Sequence, residues 1–151
     1  MSEVANGPTA GFLVWRLSTK WRVAVDRALG PLGLTHAQYT LLGSLYGMGR
    51  AGLRPSQREL ADHIGMEALY VSKLARSLET AGLIDRTPDP ADSRAVRLAL
   101  TEQGRQTAAR AVVLVRQLMD QLLAPLGGLD GERTEALVRE LTALLEAPLD
   151  F

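Results

Sequence analysis

Mainly α with a small β-hairpin, an α+β chain, is the fold class that the sequence predicts, and three observations predict it. Apolar residues recur at helical spacing through six separate segments. Only the stretch from Leu83 to Leu100 alternates as strands do, and its centre, Pro88-Asp89-Pro90-Ala91-Asp92-Ser93-Arg94, is turn chemistry. Between the segments stand residues that start helices (Thr35, Ser56, Thr101, Asp130) and glycines that stop them (Gly30, Gly65, Gly82, Gly127).

In chain order, Gly11 to Leu29 places Leu13, Leu17, Trp21 and Val25 at a four-residue spacing, an amphipathic helix that Gly30-Pro31-Leu32-Gly33 stops. Thr35-His36-Ala37-Gln38 has the form of a capping box and opens a helix through Tyr39, Leu41, Leu42 and Leu45 to about Tyr46. A glycine-rich loop from Gly47 to Pro55 follows, and Ser56-Gln57-Arg58-Glu59 is a second capping box.

From Gln57 to Leu74 the chain reads as a helix, a three-residue turn and a second helix. Two helices that cross closely need a small residue at the contact, and Ala61 supplies it; Gly65 suits the positive φ that ends the first helix. Leu60 and Ile64 face Val71 and Leu74. The second helix runs over about 68–81, with Gly82 at its C′ position. Leu83 to Thr87 and Ala95 to Leu100 form the hairpin, a wing over 83–100. Thr101 caps a helix to about Leu123, with Ala108, Val112, Val115, Leu118, Met119 and Leu122 apolar. After Pro125-Leu126-Gly127-Gly128, Asp130 caps a last helix carrying Leu137, Leu141, Leu144 and Leu145. The result is a winged helix-turn-helix over 35–100, preceded by a disordered arm (1–10) and a helix (11–34) and followed by two helices (101–151).

Apolar residues make up 46% of the chain, enough for a buried core, yet no apolar run is long enough to cross a membrane. Met1 to Pro8 lacks the regions of a signal peptide. There are no cysteines, which excludes disulfides, thiol sensing and thiolate-bound zinc, and two histidines, His36 and His63, make a His-rich metal site improbable. No cofactor and no metal are expected, and the cytoplasm is the expected compartment. Ser-His-Asp, phosphate-loop, HExxH and paired-carboxylate signatures are missing, so the chain is not expected to be an enzyme. Net charge is zero, 17 basic against 17 acidic residues, which counts against nucleic acid only if the charge is evenly spread. The basic residues are nearly all arginine, the side chain suited to bidentate contacts and narrow grooves. The outward face of the second helix of the pair, with Leu69, Tyr70, Ser72, Lys73 and Arg76, mixes groups that suit base edges and phosphates.

With these residues in this order, the chain resembles the MarR family of bacterial transcription regulators, over roughly Leu13 to Leu145. The most specific match is the wing, Asp92-Ser93-Arg94 followed by alternating Val96, Leu98 and Leu100 and then Thr101-Glu102-Gln103-Gly104. Leu78 to Arg86 is similar to the family's exit from the recognition helix. The resemblance implies a homodimer in which 11–34 and 101–151 are dimerisation helices. Such a dimer reads a pseudo-palindrome in double-stranded DNA with half-sites roughly 34 Å apart. It implies a repressor released by a small, often aromatic, acid bound between the dimer helices and the winged domain.

On that reading Arg94 enters the minor groove from the wing tip. Asp92 repels phosphate and therefore orients Arg94 or pairs with Arg86, stiffening the wing. Lys73 and Arg76 contact phosphate or guanine; Ser72 bonds a phosphate or a base; Leu69 and Tyr70 either meet a thymine methyl or pack under the wing. Ser56 and Gln57 stand at a helix start that favours phosphate, where Ser56 is a ligand or simply a cap. For the effector the candidates are Trp15, Trp21, His36, Tyr39 and Tyr46, with Arg16 or Arg22 for a carboxylate. The same aromatics at helical spacing also suit a core. His36, near a helix start, is expected to deprotonate easily. The chain lacks the N-terminal cysteine of the family's peroxide-sensing branch and the histidine density of its metal-sensing branch. Alternatives are a winged helix that binds protein, of the antirepressor type, and a regulator without a ligand.

Overall fold

The computed structural model describes residues 7–150, which form two compact units, divided between Val112 and Val113. Of the expected arm over 1–10, residues 1–6 lie outside the described residues. Its other end is already structured, because the Thr9 hydroxyl accepts from the Phe12 N–H (3.2 Å) and caps a helix beginning at Ala10.

The first unit holds α1 (Ala10–Leu29), α2 (His36–Arg50), α3 (Gln57–Ile64), α4 (Ala68–Thr80), β1 (Ile84–Pro88), β2 (Val96–Leu100) and the start of α5 (Glu102–Leu122). Its core is built from Leu41, Leu42 and Leu45 of α2, Leu60 of α3, Val71 and Leu78 of α4, and Ile84 and Leu98 of the hairpin. From α1 only Val25 and Leu29 are fully buried. The capping box at the head of α2 forms in both directions: Thr35 Oγ1 accepts from Gln38 N–H, and Gln38 Oε1 accepts from Thr35 N–H.

Two expectations about the helices before the hairpin are corrected. The second helix does not stop at Tyr46 but continues a further turn to Arg50. Glycine inside a helix costs only about 1 kcal/mol, and the buried leucines preceding Gly47 and Gly49 hold the helix until Gly52, at φ +77°, turns the chain. The box at Ser56 is half a box. Ser56 Oγ accepts from Glu59 N–H (3.1 Å), but Glu59 turns its carboxylate to Arg97 instead of back to the cap.

The helix-turn-helix forms as the spacing predicts. Leu60 and Ala61 are buried against Val71, Leu74 and Ala75, while Ile64 is half-buried. Gly65 caps α3 at φ +81°, its N–H donating to the Ala61 carbonyl. The hairpin pairs antiparallel, Ile84 with Leu100 through Pro88 with Val96. Pro88 sits at the end of its strand, where a missing N–H disturbs least. On its other edge β2 is held by the segment before α3: Leu98 N–H donates to the Pro55 carbonyl (3.0 Å), and Ser56 pairs with Arg97. The wing is thus fastened to the N-terminus of α3.

The second unit contains the rest of α5, a 3₁₀ turn at Ala124–Leu126 and α6 (Glu132–Glu146). Asp130 does not cap α6; Gly131 does. A Cβ at residue 131 would lie 2.3 Å from the Leu126 carbonyl oxygen, so the chain passes through the cap position where only a glycine fits. Thr134 Oγ1 donates to the Gly128 carbonyl (2.6 Å) and locks that turn. Among the described residues no helix is long and apolar enough to cross a membrane.

Candidate nucleic-acid interface

The wing tip is built from two consecutive aspartate turns. Asp89 Oδ1 accepts from Ala91 N–H (2.7 Å), and Asp92 Oδ1 accepts from Arg94 N–H (3.0 Å). Each carboxylate reaches a backbone N–H two residues on, the local bond that makes aspartate a turn former. Asp92 therefore fixes the backbone from which the exposed Arg94 side chain leaves.

Asp92 does not pair with Arg86. The guanidinium of Arg86, midway along β1, donates from Nε to Gln57 Oε1 (3.1 Å) and lies 3.6 Å from Glu79. Arg86 thus ties the middle of the hairpin to α3 and α4. The misreading has a simple origin: β1 places Arg86 opposite Leu98, in mid-hairpin and away from the tip.

Between the N-terminus of α3, the first residue of α4 and the wing lies a concavity of about 720 Å³, lined by Ser56, Gln57, Arg58, Ala68, Asp92 and Arg94 among others. Ser56 is buried and its hydroxyl serves as the cap. Gln57 spends its carbonyl on Arg86 and is half-buried. Along α4, Leu69 (79% exposed), Tyr70, Lys73 and Arg76 face solvent, with Ser72 half-buried. Leu69 does not pack under the wing. Leu69 and Tyr70 stand exposed side by side at the start of α4.

Sequence reasoning missed three residues here. Arg58 shares the concavity and is exposed; its position one residue past Gln57 on the same helix start was the available signal. Arg97 and Asp89 are the others. Arg97 Nη2 lies 2.7 Å from Asp89 Oδ2, its Nη1 donates to the Arg54 carbonyl, and Glu59 lies 3.8 Å away. The Asp89 side chain is only 8% exposed. The Ala91 N–H, helped by Arg97, holds its carboxyl below the ordinary carboxylate range, against the opposing effect of burial.

The effector candidates do not gather into one site within the chain. Trp15 is 70% exposed on α1, and Arg16 lies over the Phe12 ring. Trp21 is half-buried and Arg22 exposed. Tyr39 lies across Gly43, and burial raises its phenol's pKa. Tyr46, with Arg50 over its ring, lines a cleft of about 410 Å³ with Leu53, Arg54 and Arg105. His36 and Tyr46 stand ten residues apart on α2, about 15 Å along the axis, too far to share one single-ring ligand.

His36 donates its backbone N–H to Asp26 Oδ1 (2.6 Å). Its imidazole is easier to deprotonate than usual, as expected, but the first cause is burial rather than the helix start; Arg22 adds to it and Asp26 opposes it. A histidine whose folded pKa is lowered contributes stability that is present above its unfolded value, about 6.5, and is lost as pH falls through the folded value. Denaturation midpoints measured at stepped pH should fall below that point in the wild type and fall less in His36→Gln. Parallel curves would assign the loss to another group.

Fold and exposed surface together define a winged helix-turn-helix protein. A MarR family profile matches residues 32–95. The HTH-type transcriptional regulator YdcH of Bacillus subtilis is 36% identical over 115 residues, covering 75% of this chain and 78% of its own. The HTH-type transcriptional repressor Rv2887 of Mycobacterium tuberculosis is 33% identical over 123 residues, covering 82% and 86%. The crystal structure of S. aureus MepR bound to DNA matches with a TM-score of 0.80 at 27% identity, over 92% of this chain and 98% of that one. The M. tuberculosis regulator MosR in complex with DNA matches with a TM-score of 0.73 at 27% identity, over 91% and 93%. The chain belongs to the MarR family. It is a transcriptional regulator and not an enzyme.

Proposed function

We propose that the protein binds double-stranded DNA sequence-specifically as a homodimeric repressor of a pseudo-palindromic operator and leaves it when a small ligand binds. The observation that carries the DNA reading is the concavity where the start of α3, the first residue of α4 and the wing bring Arg58 and Arg94 together. Helix α4 enters the major groove with Leu69, Tyr70, Ser72, Lys73 and Arg76; Arg94 enters the adjacent minor groove. That MepR and MosR, similar in fold, were solved with DNA supports the DNA-binding part of this reading. Neutral overall charge does not oppose it, because Arg58, Lys73, Arg76 and Arg94 are exposed here while Asp89 and Asp92 are turned to backbone N–H groups and Asp89 also to Arg97.

Two exposed apolar faces support the dimer. Phe12, Leu13, Trp15, Leu17 and Val23 are exposed on α1, and Val138, Leu141, Leu144 and Leu145 on α6. Several large apolar side chains exposed along one helix suit an association surface. For the effector, the half-buried Trp21, His36, Tyr39 and Tyr46 remain the candidates, with Arg16 or Arg22 as carboxylate partners and Trp15 contributed from the exposed face of α1.

The test is fluorescence anisotropy of the protein on its own upstream intergenic DNA and on scrambled DNA across a salt series, with sedimentation of the same sample. A dissociation constant of about 10⁻⁸ M or tighter on the former alone, a steep salt slope and a dimeric mass are expected. Binding that ignores sequence would favour a winged helix that docks protein, through the exposed Leu69 and Tyr70. Within this assay Lys73→Ala should flatten the salt slope by about one unit. A loss confined to one base position, with the slope intact, would instead make Lys73 a base reader.

A further inference from the structure

Arg97 and Asp89 form a clamp that no DNA-contact reading of the wing requires. The clamp spans three elements. Arg97 lies on β2, Asp89 opens the wing tip, and the Arg54 carbonyl and Glu59 belong to the lead-in and first turn of α3. A guanidinium suits this place because its planar fork serves several acceptors at once. The backbone repeats the connection, since Ser56 pairs with Arg97 and Leu98 N–H donates to Pro55. Asp89 is nearly covered and accepts from both Arg97 and Ala91 N–H, so its orientation is fixed from two sides. Asp89 N–H donates in turn to the Ala95 carbonyl (3.0 Å), closing the loop that carries Arg94.

We infer that Arg97 and Asp89 are positioning residues for DNA binding, holding the wing tip at a set distance from the N-terminus of α3 so that Arg94 and the α3–α4 face engage the duplex together. The inference rests on the DNA reading above. Neither residue touches DNA in it: Asp89 is covered, and Arg97 faces the lead-in segment. A wing released from the clamp keeps Arg94 but must be ordered at the moment of binding, and that ordering weakens association.

The test uses the full-length protein and the operator found by the anisotropy assay. Asp89→Asn removes a negative charge close to the DNA-facing surface. If charge alone mattered, binding would tighten; if Asp89 positions the wing, binding weakens, by about tenfold. The sign of the change decides. Arg97→Gln should weaken binding similarly, Arg97→Lys should recover part of the loss, and far-ultraviolet circular dichroism should leave all three folded. A double-mutant cycle adds a second readout. Arg94→Ala should cost much less in the Arg97→Gln background than in the wild type, because a wing already displaced has little contact to lose. Tighter binding by Asp89→Asn, or an undiminished Arg94→Ala effect in the Arg97→Gln background, overturns the inference. No effect of Arg94→Ala in the wild type overturns the wing's role in DNA binding itself, and the inference with it.

Discussion

Gly104→Ala is expected to destabilise the fold by about 3 kcal/mol, although the same exchange at an open helical position stabilises by about 1 kcal/mol. Gly104 sits in the first turn of α5, and a Cβ there would lie 1.8 Å from the Leu83 carbonyl oxygen. The obstacle is backbone, so no side chain can rotate away. Relief requires α5 to withdraw from the end of α4, and that withdrawal breaks a compact set of bonds. Thr101 N–H donates to the Leu83 carbonyl (3.1 Å), Thr101 Oγ1 donates to the Gly82 carbonyl (2.6 Å), and the same hydroxyl accepts from Gly104 N–H (3.0 Å). Each such bond is worth about 1 kcal/mol net. Their loss together outweighs the helix-propensity gain.

Gly47→Ala is the internal control. Gly47 is exposed in α2 and a Cβ there meets nothing within 4 Å, so this variant should be stabilised. Urea denaturation of both variants at one fixed protein concentration gives the comparison, since any association adds a concentration-dependent share. Opposite signs are expected. A neutral Gly104→Ala would mean that α5 already stands away from Leu83, and the Thr-x-x-Gly start of the helix would then have no steric cause.

The elements were legible because each rests on local physics. Thr35 and Gln38 close a capping box, Gly65 and Gly82 take positive φ at helix ends, and Val96 to Leu100 alternates beside a proline–aspartate turn. The errors fall where a distant backbone decides. Gly131 is the cap of α6 because of the Leu126 carbonyl, which lies outside the reach of a capping rule that favours Asp130. Glu59 abandons its half of a capping box because β2 delivers Arg97 to it. At the candidate site, Arg94 was legible from its place in the wing motif. Asp89 was read only as turn chemistry, and Arg97 only as the polar side of a strand, since their partnership with residues of the α3 lead-in depends on hairpin register. The aromatic residues gave the weakest signal. Helical spacing fits a core, a dimer face and a ligand wall alike, and in this chain Trp15 and Tyr46 turn out to occupy different environments on different helices.

The second large effect concerns Arg94. Replacing it with alanine is expected to weaken operator binding by about 1–3 kcal/mol, roughly 5- to 150-fold, without changing thermal stability. The side chain is exposed and the structure gives it no ion pair or side-chain hydrogen bond among the described residues, so folding does not depend on it. Its backbone, in contrast, is held by Asp92, and the turn before it by Asp89. A side chain leaving a fixed backbone loses less freedom on binding than one on a loose loop, which raises the yield of a single contact. Arg94→Lys separates charge from shape. Lysine keeps the cation but not the planar guanidinium that suits a narrow minor groove. The lysine variant should therefore recover the wild-type salt slope while regaining only part of the affinity. Full recovery by lysine would reduce Arg94 to a phosphate contact. Unchanged affinity in Arg94→Ala would remove the wing tip from the interface and leave α4 to carry recognition through Lys73, Arg76 and the exposed Leu69 and Tyr70.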